Sequence, residues 1–492
     1  MKVKKLVAAT MFACSCFVGV EASPAEAVTK ADLQAIFERL SKLEAENKAQ
    51  AARISELENA NKALVAAAGK QDPVAAVDST RKLEDGTSTN ESGRVFTAGS
   101  GRQYLLVDKM ANIFEPLSES GLQITPYGYL AFEGVYNSHA VDTDVYTDFV
   151  KRHGKGGTTL SMQDSILGVK FNTPEAEHGW VFSGKAEFDL AGGHQNDYAF
   201  HWRHLYVDAQ HESGWSILFG QTWHLWKMVT PSEIDGAWME NAGHPYRRSP
   251  QLRVTKKWDW EDSSLEARVG IVKGGPGMGG DRDSDGTQDN SASNWALFQG
   301  ALVYDRVAPW EESGRRWLAG LAGMYGRDRS HRWLGGDVYG GNADEYDSKM
   351  VMAAASVPLF SKFTLTGQFF AGDNLGGVQA GCAQRVAYIA PGKKGREVSA
   401  IGGFADLLYE LNDTWSFAVG YGFDDPTDSE ARHALGILRN DRAYIDAFYK
   451  INANLKLGLE YARLTTRYGE AGDDGKDDVG DDRVQFSAWY NF

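Results

Sequence analysis

Residues 180–190 read Trp-Val-Phe-Ser-Gly-Lys-Ala-Glu-Phe-Asp-Leu. Trp180, Phe182, Gly184, Ala186, Phe188 and Leu190 hold one parity, while Val181, Ser183, Lys185, Glu187 and Asp189 hold the other. On an extended chain the two sets face opposite sides, so one surface suits hydrocarbon and the other suits water. The pattern recurs. Phe363, Leu365, Gly367 and Phe369 alternate with Thr364, Thr366 and Gln368, and Trp415, Phe417, Val419 and Tyr421 alternate with Ser416, Ala418, Gly420 and Gly422. Leu455, Leu457, Leu459 and Tyr461 alternate with Lys456, Gly458 and Glu460. Val484, Phe486, Ala488, Tyr490 and Phe492 alternate with Arg483, Gln485, Ser487 and Asn491.

Read this way, the sequence predicts strands at 123–136, 158–171, 179–190, 200–211, 214–226, 250–260, 264–273, 295–305, 317–327, 347–357, 363–372, 398–411, 414–423, 441–450, 455–468 and 482–492. Sixteen is an even number, and with its connection each strand takes about 23 residues, as an up-and-down transmembrane barrel requires. A soluble β-sandwich rarely needs so many strands. Its inner face would also not carry Lys185, Glu187, Asp189, Arg253, Lys257 and Arg483. Short connections alternate with long Gly- and Asp-rich ones such as 274–294 and 373–397, which places turns on the periplasmic side and loops outside. The expected fold is all-β, a 16-stranded antiparallel transmembrane barrel over 121–492. The alternating aromatics up to Phe492 suit recognition by barrel-assembly machinery.

Composition agrees with one large barrel. The chain has 492 residues, 54 glycines and 57 aromatics, yet only 42% hydrophobic residues. That mixture is odd for a soluble enzyme and natural where a single parity faces lipid. No long apolar run follows the first 20 residues, which argues against helical spans. A net charge of -15 argues against a nucleic-acid partner.

Lys2, Lys4 and Lys5 precede the apolar run 6–20 (LVAATMFACSCFVGV), and Val20-Glu21-Ala22 or Ala25-Glu26-Ala27 offers a small-residue cleavage site. Residues 1–27 are therefore expected to be a secretory signal. Cleavage at Ala27 removes Cys14 and Cys16 and leaves Cys382 as the only thiol, so no intrachain disulfide can form. From 28 to 65 a heptad repeat places Leu33, Leu40, Asn47, Ile54 and Asn61 at a positions and Ile36, Leu43, Gln50, Leu57 and Leu64 at d. Five unbroken heptads predict an α-helical coiled coil, and the seam amides fix register and oligomer number, which implies a homo-oligomer. Residues 66–120 lose the period and gain Gly, Ser, Thr and Asp, as a linker does.

With signal, heptads and barrel in that order, the sequence resembles the DcaP-like family of trimeric outer-membrane porins. The resemblance is carried by Arg203-His204-Leu205-Tyr206-Val207-Asp208 followed by Leu218-Phe219-Gly220-Gln221-Thr222-Trp223, by Ser249-Pro250-Gln251-Leu252-Arg253, and by Gly420-Tyr421-Gly422-Phe423-Asp424-Asp425-Pro426. It implies a homotrimer in the outer membrane, each barrel passing small and often anionic solutes, with the coil in the periplasm. The 66–120 linker is longer and more polar than that pattern leads one to expect.

In barrels of this kind one long loop folds into the lumen. The candidate is 227–249 (KMVTPSEIDGAWMENAGHPYRRS), with Lys227, His244, Arg247 and Arg248 beside Glu233, Asp235 and Glu240. Opposed charges across an opening create a transverse field, and a positive rim favours anions. Parity adds Lys185, Arg253, Lys257, Arg268 and Arg483 to the water-facing wall, opposed by Glu187, Asp189, Asp208 and Glu266. Arg247, Arg248, Arg253 and Lys257 form the expected anion-facing cluster; for each, a wall charge that only supports the barrel is the alternative.

Asp281, Asp283, Asp285 and Asp289, with Gly286, match the first half of a calcium loop, but position 12 is Ala292 where the pattern needs Glu. This is either a weak calcium site or a solvated acidic loop. His201 and His204 look like metal ligands, but an odd spacing on a regular strand sends them to opposite faces. No nucleophile elbow, phosphate loop or zinc spacing is found. His204, Tyr206 and Asp208 share a face without a serine, so no enzyme and no cofactor is expected.

The expectation is a passive porin for small hydrophilic, preferentially anionic solutes such as carboxylates. The alternative is a structural protein that tethers the outer membrane to the cell wall through its coil. Deleting residues 33–64 separates them: conductance survives if the chain is a porin, whereas a tether gives envelope defects with the pore intact.

Overall fold

The computed structural model describes residues 121–492 apart from 175–176, 194–197, 274–295, 312–313, 336–337 and 470–476. The signal, coil and linker, and the calcium-like Asp281, Asp283, Asp285 and Asp289, lie outside the described residues. The remainder is a closed antiparallel sheet. In chain order the strands are β1 (Gln123–Val141), β2 (Val150–Ser161 continuing as Ile166–Asn172), β3 (Trp180–Asp189), β4 (His201–His211), β5 (Trp215–Trp223), β6 (Arg248–Asp259), β7 (Ser263–Val272) and β8 (Leu297–Val307). There follow β9 (Arg316–Gly335), β10 (Val338–Pro358), β11 (Phe363–Asp373), β12 (Ser399–Glu410), β13 (Trp415–Pro426), β14 (Ile437–Lys450), β15 (Leu455–Tyr468) and β16 (Asp478–Asn491). Each pairs with the next, and β16 closes on β1 with Tyr129 opposite Asn491 and Phe132 opposite Ala488.

Three departures from the sequence reading matter. β2 is broken at 162–165, yet both pieces pair with β1, so together they fill one place in the barrel. β9 and β10 run well past the expected 317–327 and 347–357 and continue beyond the apolar band as a long hairpin. Within the expected outer loop 373–397, residues 374–387 turn inward. Leu375, Val378, Ala380 and Cys382 are buried there, and the Cys382 amide donates to Asp424 at 3.1 Å.

The alternation becomes an inside and an outside. On β16, Val484, Phe486 and Tyr490 are about two-fifths exposed, while Arg483, Gln485 and Ser487 are wholly buried. Lys185, Glu187 and Asp189 are buried on β3, with Phe182 exposed. Trp489 shares that buried, inward parity but carries an aromatic ring, which packs against an infolded loop.

The outer surface carries aromatics near both ends of the strands. Phe363, Tyr409, Phe417 and Trp415 stack in series at the short-turn end, with the first pair 4.6 Å apart. Toward the loops, Tyr325 and Tyr461 donate to Asp347 and Asp482 on the adjoining strands, and Tyr421 donates to Asp441. An apolar band between aromatic girdles is what a bilayer demands of a barrel. Among the described residues no helix is long and apolar enough to cross a membrane, which says nothing against crossing by strands.

Ile445 points outward and is 58% exposed. Ile445→Lys is expected to cost about 2–4 kcal/mol in urea titrations of the barrel folded in lipid vesicles. A water-exposed position would show almost no change.

Candidate constriction

Residues 224–247 leave β5 and return to β6, closed at the base by the His224 amide donating to Arg247 at 2.9 Å. The loop folds into the lumen and is held on the far wall. Arg442 of β14, fully buried, pairs with Glu233, with Asp235 at 2.7 Å and with Glu460 of β15 at 3.2 Å. Arg483 of β16 reaches Asp235 at 3.2 Å. The Ile234 amide donates to Asp446 and Glu460, and the Asp235 amide donates to Glu460, each at 3.1 Å. Burial pulls the Asp235 carboxyl upward, but the two guanidiniums outweigh it and hold it below the ordinary value. Glu233 and Asp235, expected on the pore rim, are therefore occupied in anchoring the loop.

Two glycines let the loop seat. A Cβ on Gly458 would stand 2.8 Å from both Ile234 Cδ1 and the Trp489 ring, and one on Gly422 would strike the Ala242 carbonyl at 2.1 Å. At the tip Trp238, Met239 and Asn241 have φ of 46°, 58° and 52°, a left-handed backbone that non-glycine residues seldom adopt. The surroundings over-determine it. The Met239 amide donates to Glu233 at 2.8 Å, and His244 Nδ1 donates to the Trp238 carbonyl at 2.7 Å. Burial pushes His244 down to about 3, so it is neutral and does not join the basic set.

Between this loop and the β3–β6 wall lies a cavity of about 400 Å³. Arg203, Arg247 and Arg248 line it with His201, against Asp148, Asp164, Asp189 and Glu240, and the ring walls are Trp223, Trp238, Tyr146 and Tyr246. Arg203 is tied to Glu187 at 2.8 Å and Asp189 at 2.9 Å. Arg248 lies 4.5 Å from the centre of the Trp223 ring, and Arg247 donates to the Gly377 carbonyl at 3.0 Å. Burial pushes Glu240 up to about 7, and raises Asp148 further, with Glu240 itself contributing.

The expected cluster is thus divided. Arg247, Arg248 and Glu240 meet at the cavity. Lys227 sits beside it, 4.8 Å from the Trp223 ring and 2.6 Å from the Thr230 hydroxyl. Lys185 is buried lower on the wall against Glu187 at 2.9 Å. Arg253 donates to the Trp223 carbonyl at 2.7 Å and braces the loop base. Lys257 is half exposed and paired with Asp259 at 2.8 Å. It lies nine residues along β6 from Arg248, about 30 Å of strand.

Arg203 was missed because of a bulge. Glu187 faces His204 while Phe188 faces Trp202, so Arg203 is the extra residue and parity changes there. Consequently His201 and His204 both lie on the lumen side, contrary to the expectation of opposite faces: His201 is 3.1 Å from Asp189, and His204 is 2.9 Å from the Thr222 hydroxyl. Asp164 was missed because the break in β2 turns it inward. Arg442 gave no signal beyond its water-facing parity, since its loop partners Glu233 and Asp235 are more than 200 residues away.

The outer membrane channel DcaP of Acinetobacter baumannii aligns with 75% of this chain and 97% of its own, at 20% identity and a TM-score of 0.57. The chain has the fold of DcaP. The resemblance to DcaP-like porins read from the sequence therefore holds at the level of the fold. An anion-selective porin from Comamonas acidovorans aligns with 75% of this chain and 100% of its own, at 12% identity and a TM-score of 0.48. Salmonella typhi OmpF in complex with daunomycin aligns with 76% of this chain and 99% of its own, at 13% identity and a TM-score of 0.48. No protein-family model and no curated protein matches the chain.

Removing Arg442 strands several carboxylates in a buried site, a change that costs about 3–5 kcal/mol. Arg442→Ala is expected to give folded but less stable barrels whose single-channel current is larger and noisier, because the loop swings free. An unchanged current would show that the loop is held by other means.

Proposed function

We propose that this chain is an outer-membrane porin for small hydrophilic solutes, with a preference for anions such as carboxylates. The observation that carries the reading is the convergence of Arg203, Arg247 and Arg248 on a cavity where an infolded loop narrows a charged lumen. Aromatic walls lower the local dielectric around these guanidiniums and strengthen their pull on a carboxylate. The solute passes down its gradient and no bond is made or broken. The heptads at 28–65 support a homotrimer with its coil in the periplasm.

The preference depends on pH through Glu240. Below about pH 7 this carboxyl is neutral and the cavity is more positive; above it the charged form offsets one arginine. Reversal potentials in a salt gradient across a planar bilayer are expected to become more anion-selective from pH 8 to pH 5. Glu240→Gln should flatten that dependence, and Arg247→Ala with Arg248→Ala should move selectivity toward cations. Selectivity untouched by the arginine changes would overturn the assignment, and a closed barrel without conductance would overturn the porin reading itself.

A further inference from the structure

The inward faces of β14 and β15 carry two like-charged pairs. Register sets Asp446 opposite Glu460, and further toward the short turns sets Lys450 opposite Lys456. Like charges directly across a ladder repel one another, so each pair raises the local potential of its own sign. The acidic pair faces the Ile234 and Asp235 amides and Arg442. The basic pair faces a second cavity of about 870 Å³ at the short-turn mouth of the lumen. Lys362 lines the same space, with Ser416 and Asn491 as neutral polar neighbours. The Lys456 ammonium lies 3.8 Å from the centre of the Phe448 ring and 5.9 Å from that of Trp489, which fixes it on the lumen side. Glu410 and Asp413 are the acids of this cavity, and Arg315 stands 3.9 Å from Glu410.

We propose that this mouth is a second anion site, built on Lys450, Lys456 and Lys362, that takes small carboxylate or phosphate oxyanions on the periplasmic side of the constriction. The inference rests on the porin reading and extends it to a pore with two anion sites in series. The Lys362 ammonium also donates to the Leu411 carbonyl at 2.6 Å. An ammonium acts as a point charge and holds an oxyanion less rigidly than a guanidinium fork does. Loose, multi-site binding is what conduction needs, since a solute must leave as readily as it enters. The Lys pair lies beyond the acidic pair on the same two strands, so it draws an anion past the carboxylates behind the inner loop.

The test uses the full chain inserted from one side of a planar bilayer, with citrate as probe. Citrate added at the short-turn side is expected to block current, and Lys450→Gln with Lys456→Gln should raise the half-blocking concentration about tenfold. Block from the loop side should be unmoved by that double variant and weakened by Arg247→Ala with Arg248→Ala. Equal block of wild type and the lysine variant from the short-turn side overturns the second site while leaving the porin intact. A barrel that does not conduct fails the porin reading. In that case citrate titration of the detergent-solubilised chain by calorimetry decides the site: binding lost in the lysine variant supports it, and unchanged binding overturns it.

Discussion

Withdrawing a guanidinium from water costs several kcal/mol, and Arg442 is wholly buried. It meets that cost by standing among Glu233, Asp235 and Glu460, with Arg483 beyond Asp235. Two of those three carboxylates belong to the inner loop and the third to the wall, so this one knot of charge decides where the loop lies. The remainder of the constriction follows from it. Once Asp235 is fixed, Ile234 is pressed against Gly458 and Trp489, the left-handed tip is propped by Glu233, and the return limb carries Arg247 and Arg248 to the opposite wall. Two of the rim acids foreseen for the pore, Glu233 and Asp235, turn out to be the fastening of the loop, and Glu240 faces the cavity together with Asp148, Asp164 and Asp189 from other parts of the chain.

The wall obeys a simpler constraint. Every strand meets hydrocarbon on one side and water on the other, so apolar side chains such as Phe486 and Ile445 stay uncovered while Gln485 and Asp446 are enclosed. A soluble protein would reverse these environments. Tyrosines close the apolar band toward the loops, each reaching a carboxylate on the next strand, which suits a ring whose one end is greasy and whose other end is wet.

That constraint is why the barrel could be read from sequence and the constriction only in outline. Parity alone locates Lys185, Glu187 and Gln485, because a period of two has no alternatives while the ladder stays regular. It fails where the ladder is irregular: at the bulge that turns Arg203 inward and at the break that exposes Asp164 to the lumen. At Trp489 the ladder is regular and parity holds, but the ring's packing depends on a loop from the other side of the barrel. The loop 227–249 could be named from its length and charges, yet the roles of its charges were set by residues such as Arg442 and Asp148 that no local pattern connects to it. Residues 373–397 looked like any long outer loop. Their inward course depends on Asp424 and Asp328, again from distant strands.

The fastening of the inner loop also dictates an order of events. Asp235 and Arg442 are separated by 207 positions in the chain. The loop is made early, between the fifth and sixth strands, but the surface that receives it exists only once the last three strands have arrived. Contacts across so long an intervening stretch form late, after the loop-closure entropy of everything between has been met. A half-built barrel therefore has no narrow waist. The constriction is the signature of a finished molecule, and the buried charges that define it are assembled last.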